Sequence, residues 1–185
     1  MLKLKGKNNG FSSVYKILTN QKIYKIYDKT AFSLYFRDRQ SEFKKLFKEL
    51  NNLKLSVNHK IISRNIIEIE ELKSDQNLSI RRLFNDNKLL KNFLKQIKKI
   101  SSINKKVSSR KIINEIDNYV RHSSRHQKIN NKISKLKKYL EVYDQNEICH
   151  GDLHLENIFI KKNRFLFLDW DYFILSSSGY DLAMF

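Results

Sequence analysis

Apolar positions along this chain change their period twice. Residues 11–18 and 22–27 are short runs rich in β-branched and aromatic residues, with Thr19-Asn20-Gln21 between them. They predict a β-hairpin. The stretch ahead of them, Lys-Gly-Lys-Asn-Asn-Gly at 5–10, predicts a turn-rich loop that could lie over phosphates. From about residue 32 to 50 the period becomes helical, with Phe43, Leu46, Phe47 and Leu50 at i, i+3, i+4 and i+7. Two apolar runs at 61–62 and 66–69 predict one or two strands that complete a small antiparallel sheet. The polar stretch 73–79 reads as a connection, and it divides the chain into a β-rich lobe (1–74) and a mainly helical lobe (75–185). In the second lobe Leu90, Phe93, Leu94, Ile97 and Ile100 form one helical face, with Asp86 placed to cap it. Ile112, Ile113, Ile116, Tyr119 and Val120 form a second face, and Ile129, Ile133, Leu136, Leu140 and Tyr143 a third. The last forty residues return to short apolar runs, at 148–149 and 165–168, each of which stops near an acidic residue.

Charge alters this picture less than its size suggests. Lys+Arg number 37 against 19 Asp+Glu, a net +18. The basic residues are dispersed on the polar positions of helix-like segments, which describes a solvated face and not a nucleic-acid stripe. Abundant Lys, Asn and Ile with 4 Gly and no Pro point to an AT-rich coding bias. The single cysteine, Cys149, has no partner for an internal disulfide, so a reducing cytoplasm is expected and Cys149 is expected to pack in a strand. The N-terminus has no apolar signal region, and no 18-residue apolar run predicts a membrane span. His122 and His126 have no cysteine or carboxylate at ligand spacing.

Chemistry concentrates at ICHGDLHLENIFI (148–160) and LDWDY (168–172), where Asp169 follows Asn157 by twelve residues. Two strands ending on carboxylates can bring both acids to one edge of a small sheet, with the Asn157 amide between them. Such hard oxygen donors suit Mg²⁺, which keeps several waters and shares its shell with substrate phosphates. Asp152 could orient an acceptor hydroxyl and take its proton, while Asn157 and Asp169 hold the metal that bridges the phosphates of ATP. A lysine on a facing sheet would hold those phosphates, and a helical glutamate would hold the lysine. Lys25 and Glu42, seventeen residues apart across a strand-to-helix connection, are the candidates. Taken alone, Lys25 reads as a solvent-facing strand residue and Glu42 as a local partner of Lys44 or Lys45.

The order Lys, helical Glu, H-x-D-x-x-x-x-N, strand-end Asp is that of protein kinases. Gly151 stands where those enzymes usually carry Arg, and Asp-Trp-Asp replaces Asp-Phe-Gly. HGDLHLEN, LDWDYF and GYDLA together resemble the aminoglycoside phosphotransferase and choline kinase family. The resemblance runs from about residue 5 to the end. It implies an α+β, protein-kinase-like two-lobed fold and transfer of the ATP γ-phosphate to a small alcohol, most plausibly choline or ethanolamine. It also implies that Asp152 is the base, that Asn157 and Asp169 are the metal ligands, and that Asp171 is the acid after them. His150, His154 and Asp181 then brace the loops. Lys25 and Glu42 match the phosphate-binding pair.

The chain stops at Phe185, soon after the third motif, whereas members of that family continue through helices that build the acceptor pocket. A C-terminally truncated product and a naturally short homologue are both expected readings. Trp170, Asp171 and Tyr172 are candidates for contacting a cationic acceptor, with packing as the alternative for both rings. Outside the enzyme class, a silent kinase-like binding module and a charge-driven nucleic-acid binder compete.

Overall fold

The computed structural model describes the backbone of residues 4–9 and 12–17, together with residues 22–27, 39–72, 78–108, 146–177 and 179–185 and isolated positions at 111, 114, 132, 134, 135, 137 and 138. Its first unit is a five-stranded antiparallel sheet of order β1-β2-β3-β5-β4: β1 (Leu4–Asn9), β2 (Ser12–Ile17), β3 (Lys22–Tyr27), β4 (His59–Ser63) and β5 (Ile66–Glu70). The turn-rich reading of 5–10 is corrected here. Gly6, Asn8 and Asn9 lie in β1, paired in register with Tyr15, Ser13 and Ser12. Ladder hydrogen bonds to β2 override the weak strand preference of Gly and Asn. The turn 19–21, the start of the helix expected from residue 32, and the second and third helical faces lie outside the described residues.

Helix α1 (Gln40–Leu53) buries Phe43, Leu46, Phe47 and Leu50, the four positions its period marks. It ends on Lys54 in the left-handed conformation, whose N–H bonds Asn51 and Leu50 carbonyls. A short α2 (Ile80–Asn85) precedes α3 (Asn87–Ser101), and the Asp86 side chain caps α3 by accepting from the Leu89 N–H. α3 buries Phe93, Gln96, Ile97 and Ile100, whereas Leu94, expected on that face, is 42% exposed. Phe93 packs edge-on against Phe165 at 5.2 Å, which sets α3 against the strands that carry the acidic motifs.

Those strands form two separate ribbons and not one sheet edge. β6 (Glu147–Cys149) pairs with β9 (Ile174–Ser176), and β7 (Ile158–Lys161) pairs with β8 (Arg164–Phe167). The acids therefore converge by the packing of two ribbons. The short helix α4 (Tyr180–Met184) follows β9. One hydrogen bond, Phe167 N–H to the Leu55 carbonyl (2.8 Å), ties the α1–β4 connection to the end of β8. No helix of the described residues is long and apolar enough to cross a membrane.

Candidate active site

Alternation along β3 turns Lys25 and Tyr27 to the same face, and both are buried. Lys25 is thus not the solvent-facing residue its isolated context suggests. Its ammonium ion pairs with Asp169 Oδ1 (2.5 Å) and Asp171 Oδ2 (2.6 Å), 144 residues away in the case of Asp169. The Tyr27 hydroxyl donates to Asp171 Oδ1 at 2.6 Å. Burial alone would lower the Lys25 pKa, but Asp171 and Asp169 outweigh it and hold the ammonium above its ordinary value. Asp171 is pushed up by burial, against the pull of Lys25, and the neighbouring Asp169 adds to the push. Two carboxylates thus share one ammonium and one phenol.

The expected partnership of Lys25 with Glu42 is not what the structure shows. Glu42 accepts from Arg39 Nε at 2.8 Å. The same guanidinium donates through Nη1 to the Asp171 carbonyl (3.3 Å) and through Nη2 to the Phe173 carbonyl (2.8 Å). It also stacks over the Phe173 ring at 3.9 Å. Arg39 immediately precedes α1, where the helix dipole disfavours a cation. Its placement is explained by these tertiary bonds, which link α1 to the loop after Asp169. Arg39 and Tyr27 are not evident as site residues from the sequence. The signal for Tyr27 was its i+2 spacing from Lys25, and for Arg39 a basic residue at the wrong end of a helix.

The residues of the HGDLHLEN loop are held from within. Asp181, buried at the start of α4, accepts from the His150 N–H (2.7 Å) and the Gly151 N–H (3.0 Å). His150 is fully buried against Trp170, with ring centroids 4.5 Å apart. Its Nε2–H donates to the Leu168 carbonyl (2.8 Å), and its Nδ1 accepts from the Asp152 N–H (3.3 Å). One donor and one acceptor require the neutral ring, in line with a pKa lowered chiefly by burial. The Leu168 N–H in turn bonds the Asn157 carbonyl at 2.9 Å. Leu168 therefore joins both motifs through its N–H and its carbonyl.

Asn157 is buried, and its side-chain NH₂ donates to the Asp152 carbonyl (3.0 Å) and to His154 Nε2 (3.0 Å). With both hydrogens committed, the amide oxygen is the atom left for a cation. Asp169 adopts φ 64°, a left-handed conformation tolerated by Asp and typical of functional turns. Its Oδ1 takes Lys25, and among the described residues none donates a hydrogen bond to Oδ2. Asp152 is 40% exposed at its side chain, with Oδ2 3.7 Å from His154 Nε2. Among the described residues no group of three or more His, Cys, Asp or Glu could hold a metal by itself. The donor set thus fits Mg²⁺ only with part of its shell from phosphate and water. Trp170 is packed, with Nε1 donating to the Phe167 carbonyl at 2.8 Å, and Asp171 is consumed by Lys25 and Tyr27. Both are engaged by these contacts, and Tyr172 is 38% exposed. Cys149 is buried, and burial pushes its thiol up, away from reactivity.

Beside Lys25, the His59 ring stacks on Phe47 at 4.5 Å and 11° and donates from Nδ1 to the Val57 carbonyl (2.7 Å). Burial, aided by Lys25 and opposed by the Val57 bond, lowers its pKa from 6.5 to about 4. The unfolded chain binds this proton first, so the stabilisation is complete above pH 6.5 and is lost as pH falls through about 4. The lost stability is expected to be on the order of 3 kcal/mol. Urea midpoints measured from pH 7 to 4 should fall less steeply for His59→Phe than for the unsubstituted protein. Parallel curves would show that His59 is not the group responsible.

Residues 108–185 match the model of the phosphotransferase enzyme family. No match is found among curated proteins. Among solved structures, the chain is similar to a choline/ethanolamine kinase family protein from Mesorhizobium loti (15% identity, TM-score 0.67), covering 98% of this chain and 62% of that one. It is similar to Plasmodium vivax ethanolamine kinase (16%, TM-score 0.72), covering 98% and 59%. It is also similar to the aminoglycoside phosphotransferase APH(2")-IIa in a ternary complex with streptomycin and ATP (17%, TM-score 0.67), covering 97% and 70%. The chain spans about 60% of the length of the first two. The resemblance carried by HGDLHLEN, LDWDYF and GYDLA is borne out: residues 108–185 match the phosphotransferase enzyme family, and the chain has the protein-kinase-like fold of choline/ethanolamine kinases and aminoglycoside phosphotransferases.

Proposed function

We propose that this chain carries the nucleotide and phosphoryl-transfer machinery of an ATP-dependent small-molecule kinase, with choline or ethanolamine as the acceptor. The observation that carries the reading is the Lys25–Asp169–Asp171 cluster, in which a strand lysine meets the acids of the LDWDY motif. In this reading the division of the chain is 1–74 for the phosphate-holding sheet and 75–185 for the acidic loops.

Bound ATP and Mg²⁺ would supply a transferable γ-phosphoryl group with its charge partly neutralised. Asn157 and Asp169 would hold the metal through the amide oxygen and Oδ2. Lys25 uses two of its three N–H donors on Asp169 and Asp171, so the third is available for a phosphate oxygen. Asp152 would accept the acceptor hydroxyl's proton as the new P–O bond forms. His150 and Asp181 position that loop through its backbone. Arg39 keeps the Asp171–Phe173 backbone against α1, so Glu42 acts through Arg39 in holding this loop.

The test is transfer of labelled phosphate from ATP to a panel of amino alcohols and aminoglycosides. Phosphocholine or phosphoethanolamine is expected, with turnover about a hundredfold lower for Asp152→Ala, the low end for a general base. Unchanged turnover in that variant would remove Asp152 from the mechanism, and phosphorylation of aminoglycosides alone would replace the proposed acceptor.

A further inference from the structure

Away from this cluster, a cleft of about 510 Å³ opens between the C-terminal end of α1, the α1–β4 connection and the β7–β8 hairpin. Four cationic side chains line it, Lys54, Lys161, Lys162 and Arg164, and among the described residues no acidic one does. Lys54, Lys161 and Arg164 have no carboxylate at ion-pair distance among the described residues. Ser56 also lines the cleft. It is 9% exposed, and its hydroxyl is buried with no hydrogen-bond partner. A buried hydroxyl without a partner is destabilising. The Ser56 hydroxyl is therefore a donor left over for an oxygen acceptor.

The walls are braced. Lys54 is fixed in the left-handed conformation by the cap of α1, and Leu55 is bonded to Phe167 across to β8. Lys162 and Asn163 make a turn with both φ positive (49° and 59°), and Asn92 Nδ2 anchors it by donating to the Asn163 carbonyl at 2.7 Å. Flexible point charges, one guanidinium fork and a hydroxyl donor match tetrahedral oxyanions better than a single carboxylate. The volume is in the range of small-ligand sites.

We propose that this cleft binds a small molecule bearing two or three linked phosphate groups, with Ser56 donating to a phosphate oxygen and Lys54, Lys161, Lys162 and Arg164 neutralising its charge. The site shares no residue with the Lys25–Asp169–Asp171 cluster, so it stands or falls separately from the kinase reading. Its walls lead directly into functional elements, β7 following Asn157 and β8 preceding Asp169.

The experiment titrates the whole chain with tripolyphosphate and, separately, inorganic phosphate, without Mg²⁺ and at 150 mM KCl, by calorimetry and by backbone amide shifts. Saturable tripolyphosphate binding is expected, tighter than that of inorganic phosphate, with shifts centred on Ser56, Lys162 and Asn163. Lys161→Glu with Arg164→Glu should weaken binding at least tenfold. Lys91→Glu with Lys95→Glu, the same change in charge on exposed positions of α3, should leave it within twofold. Ser56→Ala should weaken it about threefold or more while the protein remains folded. Absence of saturable binding, shifts confined to Gly151 and Asp169, or equal loss in the two charge-reversal variants would overturn the proposal. Tighter binding of duplex DNA through the same residues would replace it with a nucleic-acid surface.

Discussion

Lys25→Met is expected to lower stability at pH 7 by about 3–5 kcal/mol, the cost of removing one partner from a buried ion pair. The ammonium is the charge that Asp171, 17% exposed at its side chain, and Asp169 both lean on. Without it, Asp171 keeps the Tyr27 hydroxyl but faces a like charge in a desolvated place. Its pKa, already raised by burial, must climb further. The folded variant then takes up a proton that the unfolded chain does not hold at neutral pH. Its deficit should shrink as pH falls towards 5. Asp169 is more open, at 38%, and water moderates its share. Urea unfolding of Lys25→Met, of Asp171→Asn and of the double variant measures the coupling. The double variant should recover most of the loss, because Asn needs no counter-charge. Equal midpoints for Lys25→Met and the unsubstituted protein would mean the pair is solvated and weak. In the kinase reading, Lys25→Met also reduces phosphate transfer to background, and the double variant does not restore it. Stability and chemistry separate at this one residue.

How far the chain could be read without its structure depends on the range of the forces involved. The period of Phe43, Leu46, Phe47 and Leu50 specifies which side of α1 is buried, and the Asp86 cap specifies where α3 begins. Both are local effects, set by neighbours within one turn. The motif residues were legible for a related reason, since their spacing along short loops limits how far apart they can lie. Long-range pairing was not legible. Nothing near residue 5 announces that Gly6 and Asn8 will complete a ladder with β2. The two acidic loops looked like one sheet edge, because a strand's own residues do not reveal its partner. They belong to two ribbons brought together by Phe93, Phe165, Trp170 and Phe173 in the core. The Lys25–Glu42 partnership failed on the same ground. Arg39, three residues before Glu42, reaches that carboxylate first, and Lys25 is turned towards Asp169 and Asp171, far away in sequence. Buried charge is placed by whichever counter-charge the tertiary fold brings within reach.

Gly151→Ala is expected to be strongly destabilising and far more damaging than Gly179→Ala, where a Cβ would meet nothing within 4 Å. Gly151 has φ +85°, where a side chain is strained whatever the space. Here there is also no space, since a Cβ would lie 2.1 Å from the Tyr172 carbonyl oxygen and 2.7 Å from its carbon. The obstruction is backbone, so no rotamer change relieves it. That carbonyl belongs to the Trp170–Tyr172 turn, which Arg39 and Trp170 Nε1 hold in place. The Gly151 N–H is itself bonded to Asp181. Accommodating the methyl group must therefore separate the loop of Asp152 from the loop of Asp169 or break the Asp181 bonds. Left-handed strain accounts for about 1–2 kcal/mol, and the displaced loops raise the expected loss to roughly 4 kcal/mol or more. The same contact explains why Gly occupies the position where protein kinases carry Arg. The H-G-D loop closes directly on the following acidic turn, and any side chain would hold them apart. Asp181→Asn tests the alternative that bracing by Asp181 dominates. It keeps one acceptor oxygen and should cost clearly less than Gly151→Ala in thermal or urea unfolding. If instead Gly151→Ala unfolds at the midpoint of the unsubstituted protein, the two loops are not in contact as described. The convergence of Asp152 with Asp169 would then need another cause.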